Sequence, residues 1–165
     1  MINYKLYTPK DYNHSDKLPL IIYLHSADER GNELEHLRGN LPKILNKHPA
    51  IYNSFILMPQ CPKGKTWTDK VMVNEVISLL RQLLFSNSID NSRIYIIGYS
   101  MGGYGAWNLL TKYKHIFAAG IPICGGGNRK LAKNLINIPI WTFHCVFDFV
   151  VPFWNSSLMV RKILK

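Results

Sequence analysis

The sequence predicts an α/β fold built on a mostly parallel sheet, and two observations carry this prediction. Short apolar segments rich in β-branched and aromatic residues alternate with segments of helical periodicity along the chain. Such alternation is typical of a parallel sheet covered by helices on both faces. The second observation is the segment 98–103, Gly-Tyr-Ser-Met-Gly-Gly, which lies between one of these strands and the following helix. Because functional sites in open α/β sheets lie at the carboxyl ends of the strands, Ser100 stands where a site is expected.

The elements follow one another at intervals that suit a single domain over residues 1–165. Strands are expected at 4–7, 20–24, 55–58, 94–97, 118–123 and 140–143, and helices at 36–47, 71–85, 102–114, 130–137 and 153–165. The clearest helix is 71–85, in which apolar residues recur at i, i+3 and i+4 spacing. Pro42 interrupts the helix expected at 36–47. No internal repeat or low-complexity linker divides the chain.

The composition and net charge indicate which classes of partner are expected for the chain. The formal net charge is +10, but lysine and arginine are scattered and form no dense basic tract. We therefore expect the charge to favour solubility and the electrostatic steering of ligands, and we expect no nucleic-acid partner. The apolar segments are too short to span a bilayer, so no membrane partner is expected. Residues 1–17 are charged and lack the apolar core of a secretory signal, which predicts a cytoplasmic location by default.

Cysteine and histidine spacing predicts neither a metal nor a cofactor. Cys61, Cys124 and Cys145 are widely spaced and match no zinc pattern. A domain of this size needs no disulfide framework, so buried free thiols are expected. The segment 25–29 holds a histidine, an aspartate and a glutamate, but their spacing fits no helix-borne ligand motif.

The segment around Ser100 has the form Gly-x-Ser-x-Gly between a strand and a helix, the setting of a nucleophile elbow. Glycines at 98 and 102 suit a turn so tight that a β-carbon on either side would clash. The helix that follows points its first amides at charge developing beside the serine. Ser100 is therefore predicted to be a nucleophile. The alternative is a glycine-rich turn that carries a solvated serine.

Several further segments, in order and at matching intervals, resemble one family. They are 7–12, 19–31, 58–62 with Trp67, 90–93, 122–127 and 138–144. With the elbow, they make the chain similar to the α/β-hydrolases. The matching branch holds small esterases and predicted peptidases, including polyhydroxybutyrate depolymerase-like and feruloyl-esterase-like proteins. The resemblance implies a three-layer α/β-hydrolase sandwich with a mostly parallel sheet. It also implies that the last strand and helix of that fold lie beyond the C-terminus of this chain.

The resemblance also implies roles for individual residues. Asp148 matches the acid of the family's catalytic triad, and the amides of Met101 and Ala27 match its oxyanion hole. The alternative for Asp148 is a loop aspartate that caps the helix beginning near Phe153. The family has glycine where this chain has Ser26, so a side chain stands beside the predicted hole.

The third member of the triad has no counterpart in the sequence. The family places its catalytic histidine after the acid, and no histidine follows Asp148. His25 and His144 match loop residues with structural hydrogen bonds, although His144 is also considered as a substitute base. Three of the remaining histidines are interpreted as surface residues: His14, His36 and His48. His115 is interpreted as a residue at the C-terminal end of a helix.

The predicted function is that of a serine hydrolase that acts on small carboxylic esters through an acyl-enzyme at Ser100. The alternatives are a serine peptidase of the prolyl-oligopeptidase kind and a non-catalytic interaction protein on a hydrolase scaffold. Self-association is expected through the exposed sheet edge formed by 140–143. Trp67, Trp141 and Trp154 are candidates for lining an acyl pocket, with core packing preferred for Trp141.

Overall fold

The computed structural model describes residues 1–9, 12–13, 15–37 and 53–165. In this part of the chain five strands form one sheet: β1 (Tyr4–Tyr7), β2 (Leu18–Leu24), β3 (Phe55–Pro59), β4 (Ile89–Tyr99) and β5 (Ala119–Ile123). Their order across the sheet is β1-β3-β2-β4-β5. Strand β1 is antiparallel to β3, and the other neighbouring pairs are parallel. The mostly parallel sheet predicted from the sequence is confirmed.

In the described part of the chain three α-helices accompany the sheet: α1 (Lys70–Ser86), α2 (Met101–Lys112) and α3 (Trp154–Ile163). Short 3-10 helices lie at Ala27–Glu29, Leu34–His36 and Arg129–Leu135. The apolar stripe predicted for α1 is buried, because Val73, Val76, Ile77 and Leu80 are at most 4% exposed. Among the described residues, no helix is long and apolar enough to cross a membrane.

Among the residues that the structure describes, the two faces of the sheet are covered unequally. On one face Leu20, Ile22 and Ile96 are fully buried in the main core, which includes side chains from all three helices. On the other face the buried cluster is small and centres on Tyr23, Ile56, Met58 and Leu37. One large core therefore holds the helices against the sheet.

Two of the expected elements take another form in the structure. The helix expected at 130–137 is the 3-10 helix Arg129–Leu135. The segment 140–143 meets β5 only through isolated bridges at Ile140 and Phe143, so it is not a full strand. The physical reason is Pro122 in β5, which has no N–H to donate to this neighbour. Most of the helix expected at 36–47 lies outside the described residues.

Candidate active site

Ser100 lies at the tip of a tight connection between β4 and α2. Its backbone angles are φ 53° and ψ −114°, a conformation that side-chain-bearing residues rarely adopt. Two hydrogen bonds hold this conformation: the Ser100 amide donates to the Ile123 carbonyl at 2.9 Å, and the Tyr104 amide donates to the Ser100 carbonyl at 3.1 Å. The strained serine is thus fixed between the end of the sheet and the first turn of the helix.

The glycines of the motif are required by close backbone contacts. A β-carbon added to Gly98 would lie 2.0 Å from the Gly102 carbonyl oxygen. One added to Gly102 would lie 1.9 Å from the Leu24 carbonyl oxygen. The first turn of α2 therefore crosses the ends of β4 and β2 at a distance that only glycine permits.

Ser100 opens into a small cleft of about 290 Å³, lined also by Thr66, Thr68, Met101 and Tyr104. Among the described residues, its hydroxyl has no hydrogen-bond partner. Tyr104 lies one helical turn after Ser100, on the same side of α2. The phenol of Tyr104 accepts a hydrogen bond from the Asn155 side chain at 2.9 Å. Sequence reasoning missed this tyrosine, although its i+4 spacing from the nucleophile could have revealed it.

The two amides predicted to form the oxyanion hole both begin a helix. Met101 is the first residue of α2, and Ala27 is the first residue of the 3-10 helix after β2. Within the described part of the chain neither N–H is hydrogen-bonded, whereas the N–H of Ser100 is occupied by Ile123. Gly102 packs against the carbonyls at the end of β2, which brings the start of α2 beside the loop that holds Ala27.

Ser26 replaces the family's glycine without backbone strain. Its φ of −74° and ψ of 175° are extended angles that any residue adopts. Its hydroxyl donates to the Asp28 carboxylate, two residues further on. The predicted oxyanion loop therefore does not need a glycine at this position.

His25 is fully buried at the end of β2, where its ring joins neighbouring segments. Its Nε2 accepts the Cys61 amide at 2.9 Å, and its Nδ1 lies 2.6 Å from the Ser26 carbonyl oxygen. The Trp67 indole N–H donates to the His25 carbonyl at 2.9 Å. Burial, the largest influence, lowers the pKa of His25, so the ring is neutral with its proton on Nδ1. Both ring nitrogens are occupied, which makes this histidine structural.

Asp148 lies in the loop that follows segment 140–143. One carboxylate oxygen accepts the amides of Val151 at 2.8 Å and Val150 at 2.9 Å. These amides, that of Val151 first, hold the pKa of Asp148 below its usual range, so the carboxylate is ionised at neutral pH. Burial, and after it the negative charge of Asp148, raises the pKa of Tyr104 on the nucleophile's helix. It does not cap α3, which begins at Trp154.

His144 has both ring nitrogens engaged. Its Nε2 donates to the Val151 carbonyl at 2.7 Å, and its Nδ1 lies 2.8 Å from the Ser156 hydroxyl. Its side chain is 2% exposed, with Nε2 also 3.6 Å from Asp148. The ring therefore joins the Asp148 loop to α3, and neither nitrogen is open to receive a proton from Ser100.

The exposed histidines are no better placed as bases. His115 follows the C-terminal end of α2, whose length of about 18 Å separates it from Ser100. His36 is half-exposed and lies 3.7 Å from Glu33. His14 and His48 lie outside the described residues.

One group of three ligand-type side chains lies together in the described part of the chain. The donor atoms of Cys124, His144 and Asp148 all fall within 4.8 Å of one another. Burial, the largest influence, raises the pKa of the Cys124 thiol, and the thiol also bonds Asp148, so it keeps its proton at neutral pH. A metal would have to displace that proton and the proton that His144 shares with Val151. Internal hydrogen bonds therefore account for the cluster.

Two expectations about side-chain burial were wrong. Only Cys61 is a buried thiol, because Cys124 is half-buried and Cys145 is exposed. Trp141 is 67% exposed and stacks on Phe143 at a ring distance of 4.8 Å, so it is not a core residue. Cys145 and Trp141 both lie in segment 140–145, which meets β5 only through isolated bridges.

The sheet, the helices and the strained serine at the end of β4 define an α/β-hydrolase. Residues 43–165 match the family model described as phospholipase/carboxylesterase, and the chain belongs to that family. Among curated proteins no sequence matches the chain.

Solved structures agree with this assignment. A thermostable esterase is 40% identical, with a TM-score of 0.89 over 98% of this chain and 47% of its own. The chain thus spans less than half the length of that esterase. A feruloyl esterase aligns at 12% identity and TM-score 0.75, over 98% of this chain and 68% of its own. An acylaminoacyl peptidase of Pyrococcus horikoshii aligns at 17% identity and a TM-score of 0.70, over 99% of this chain and 33% of its own. At such low identity the last two show the fold alone.

Proposed function

We propose that the chain carries a serine-hydrolase site in which Ser100 is the nucleophile for carboxylic esters. The observation that carries this proposal is the strained backbone of Ser100, φ 53°, at the end of a central strand. Strain of this kind persists only where the surroundings enforce it, and here two glycine contacts and two hydrogen bonds do so. The similarity to a thermostable esterase supports an ester as the substrate class.

In the proposed reaction, the Ser100 oxygen attacks the ester carbonyl carbon and loses its proton to a base. The carbonyl oxygen becomes negative and accepts hydrogen bonds from the amides of Met101 and Ala27. Collapse of this intermediate breaks the bond to the alcohol oxygen, which takes up a proton and leaves an acyl-enzyme. Water then attacks the acyl group and returns Ser100 to its hydroxyl form.

Asp148 has the role of orienting a base and stabilising its charged form. Its ionised carboxylate suits this role, because an anion beside an imidazole favours the imidazolium. Within the described residues, however, no histidine bonds the Ser100 hydroxyl. We therefore expect acylation by strongly activated reagents and slow turnover, since a serine without its base retains about a thousandfold advantage over water.

The test is covalent labelling with a fluorophosphonate, followed by peptide mapping. We expect the wild-type chain to be labelled at Ser100 and the Ser100→Ala variant to remain unlabelled. Ser92→Ala is the matched control, because Ser92 lies on the same strand with its hydroxyl bonded to Asp90. Equal labelling of wild type and Ser100→Ala would refute the nucleophile assignment.

The same preparations separate the alternatives. A p-nitrophenyl ester that releases phenolate in a burst equal to the enzyme concentration supports the esterase, whereas preference for a peptide anilide supports the peptidase. A chain that is folded by circular dichroism yet neither labels nor releases phenolate supports the non-catalytic alternative.

A further inference from the structure

The loop that carries the predicted oxyanion amide of Ala27 has weak backbone hydrogen bonds of its own. We call the segment 26–30 the oxyanion loop; its centre is the single 3-10 turn Ala27–Glu29. The amides of Glu29 and Arg30 donate to the carbonyls of Ser26 and Ala27, both at 3.4 Å. Because hydrogen-bond geometry is poor in a 3-10 helix, a turn of this length depends on side chains for its shape.

Two side chains hold the peptide groups on either side of Ala27. The Ala27 N–H shares a peptide group with the Ser26 carbonyl, whose oxygen lies 2.6 Å from Nδ1 of His25. The next peptide group contains the Ala27 carbonyl, which accepts a hydrogen bond from Nε of Arg30 at 3.0 Å. Because C=O and N–H point in opposite directions across a trans peptide, the first bond sets the direction of the Ala27 N–H. The second bond fixes the turn that follows it.

Arg30 also joins the oxyanion loop to the wall of the Ser100 cleft. Its Nη1 donates to the Lys65 carbonyl at 3.4 Å. Lys65 directly precedes Thr66, and Thr66 and Thr68 line the cleft beside Ser100. Arginine presents its donors in a rigid planar fork, which suits a bridge between two carbonyls. The guanidinium therefore fixes the spacing between two backbone segments that border the nucleophile.

The positive charge of Arg30 supports the second holder of this loop. Burial is the largest influence that lowers the pKa of His25, and the charge of Arg30 lowers it further. A neutral ring donates from Nδ1 to the Ser26 carbonyl and accepts the Cys61 amide at Nε2 at the same time. Arg30 therefore acts on both peptide groups beside Ala27, on one directly and on the other through His25.

From these contacts we propose that Arg30 is a positioning residue of the oxyanion hole, which holds the Ala27 amide in the direction of the substrate's carbonyl oxygen. This role rests on the proposed function, because the hole acts only on a carbonyl that Ser100 attacks. The residual rate of a serine site without its base comes from the oxyanion hole and from binding, so the effect of Arg30 is measurable in this chain.

The expected size of the effect follows from what Arg30 does to the hole. Loss of a whole oxyanion donor costs about a hundred- to a thousandfold in rate, and a misplacement of about 1 Å costs about a hundredfold. Removal of Arg30 leaves the Ala27 N–H in the chain but releases its direction. We therefore expect acylation of Ser100 to slow by about ten- to a hundredfold.

The test measures how fast Ser100 reacts with a fluorophosphonate and with p-nitrophenyl acetate, followed by mass spectrometry of the intact chain. We expect Arg30→Met to react more slowly than the wild type with both reagents. Arg30→Lys keeps the charge but has no donor in the place of Nε, so it should also lose most of the rate. Arg93→Met is the matched control and should react like the wild type. Arg93 also bonds a main-chain carbonyl, that of Lys17 at 2.7 Å, but lies about 20 Å from Ser100 along β4.

A thiono ester, p-nitrophenyl thionoacetate, separates the oxyanion hole from the rest of the site. It carries sulfur in place of the carbonyl oxygen, and sulfur is a weak hydrogen-bond acceptor. If Arg30 acts through the Ala27 amide, the loss in Arg30→Met should shrink to less than about threefold with this ester. A displaced Ser100 would instead slow both esters equally.

The other outcomes refute either this role or the proposed function. Unchanged rates in Arg30→Met, a full rate in Arg30→Lys, or equal losses with the two esters would exclude the role of Arg30. Slowing of Arg93→Met by the same factor would show a general effect of losing a bridging arginine. If Arg30→Met is unfolded by circular dichroism, Arg30→Lys supplies the same comparison. A wild type whose Ser100 reacts with neither reagent refutes the proposed function, and the role of Arg30 with it.

Discussion

Single backbone atoms decide the geometry around Ser100. The carbonyl oxygens of Leu24 and Gly102 occupy the space where β-carbons of Gly102 and Gly98 would stand. Neither glycine has a positive φ, so the requirement there is space. Ser100, in contrast, tolerates a positive φ because its neighbours enforce it. Substitutions at these positions should thus act through packing of backbone against backbone.

Gly102→Ala should destabilise the fold by about 3 kcal/mol or more, because the new methyl group would meet a carbonyl that cannot move without displacing β2. Urea unfolding followed by circular dichroism measures the loss. Gly31→Ala is the control, since its nearest neighbour would be the Gln60 side chain at 3.4 Å. Equal midpoints for wild type and Gly102→Ala would contradict the close approach of α2 to β2.

Two loops at the carboxyl edge of the sheet are each held by a buried histidine. His25 ties the loop after β2 to Cys61 and, through its carbonyl, to Trp67. His144 ties the Asp148 loop to α3 through Ser156. In each case both ring nitrogens are occupied, so the imidazole has a structural role. These two histidines hold in place the segments that carry Ala27 and Asp148.

Protonation of His25 should destabilise the protein. Its pKa is lowered by burial in the folded state, so its contribution is present above the unfolded value of about 6.5 and is lost as pH falls below it. We expect the free energy of unfolding to fall below about pH 6.5. His25→Gln should flatten this dependence and cost about 1–3 kcal/mol at pH 7, because the Cys61 amide loses its acceptor.

Chemical denaturation at a series of pH values measures both effects. The exposed His115→Gln variant serves as the control and should follow the wild type. An unchanged pH dependence in His25→Gln would show that another group is responsible.

The sequence predicted those features that depend on local pattern. The elbow at Ser100 was predictable because strand, glycines and helix are contiguous, and α1 because its apolar spacing is regular. The exposure of Trp141 was not predictable, because it depends on which distant element covers the sheet. Segment 140–143 forms only isolated bridges because Pro122 lies in the neighbouring strand. The sequence alone does not reveal that these two segments are neighbours. The proposed roles of Ser100, Asp148, Met101 and Ala27 remain predictions.

At the scale of the whole molecule, stability is distributed from the centre of the sheet outward. Strands β2 and β4 are paired on both sides, and Ile22, Leu24 and Ile96 are fully buried between them and the helices. Among the described residues, segment 140–143 is paired only with β5, at isolated bridges. The nucleophile thus stands on the most stable part of the fold, whereas Asp148 follows its least supported segment.

Hydrogen exchange should show this gradient directly. Amides of β2 and β4 should exchange only through global unfolding, because each of these strands is hydrogen-bonded to a neighbouring strand on both sides. Amides of segment 140–143 should exchange through local opening, at least about a hundredfold faster. Peptide-level mass spectrometry resolves the two regions. If segment 140–143 exchanges as slowly as β4, local unfolding does not separate the two regions.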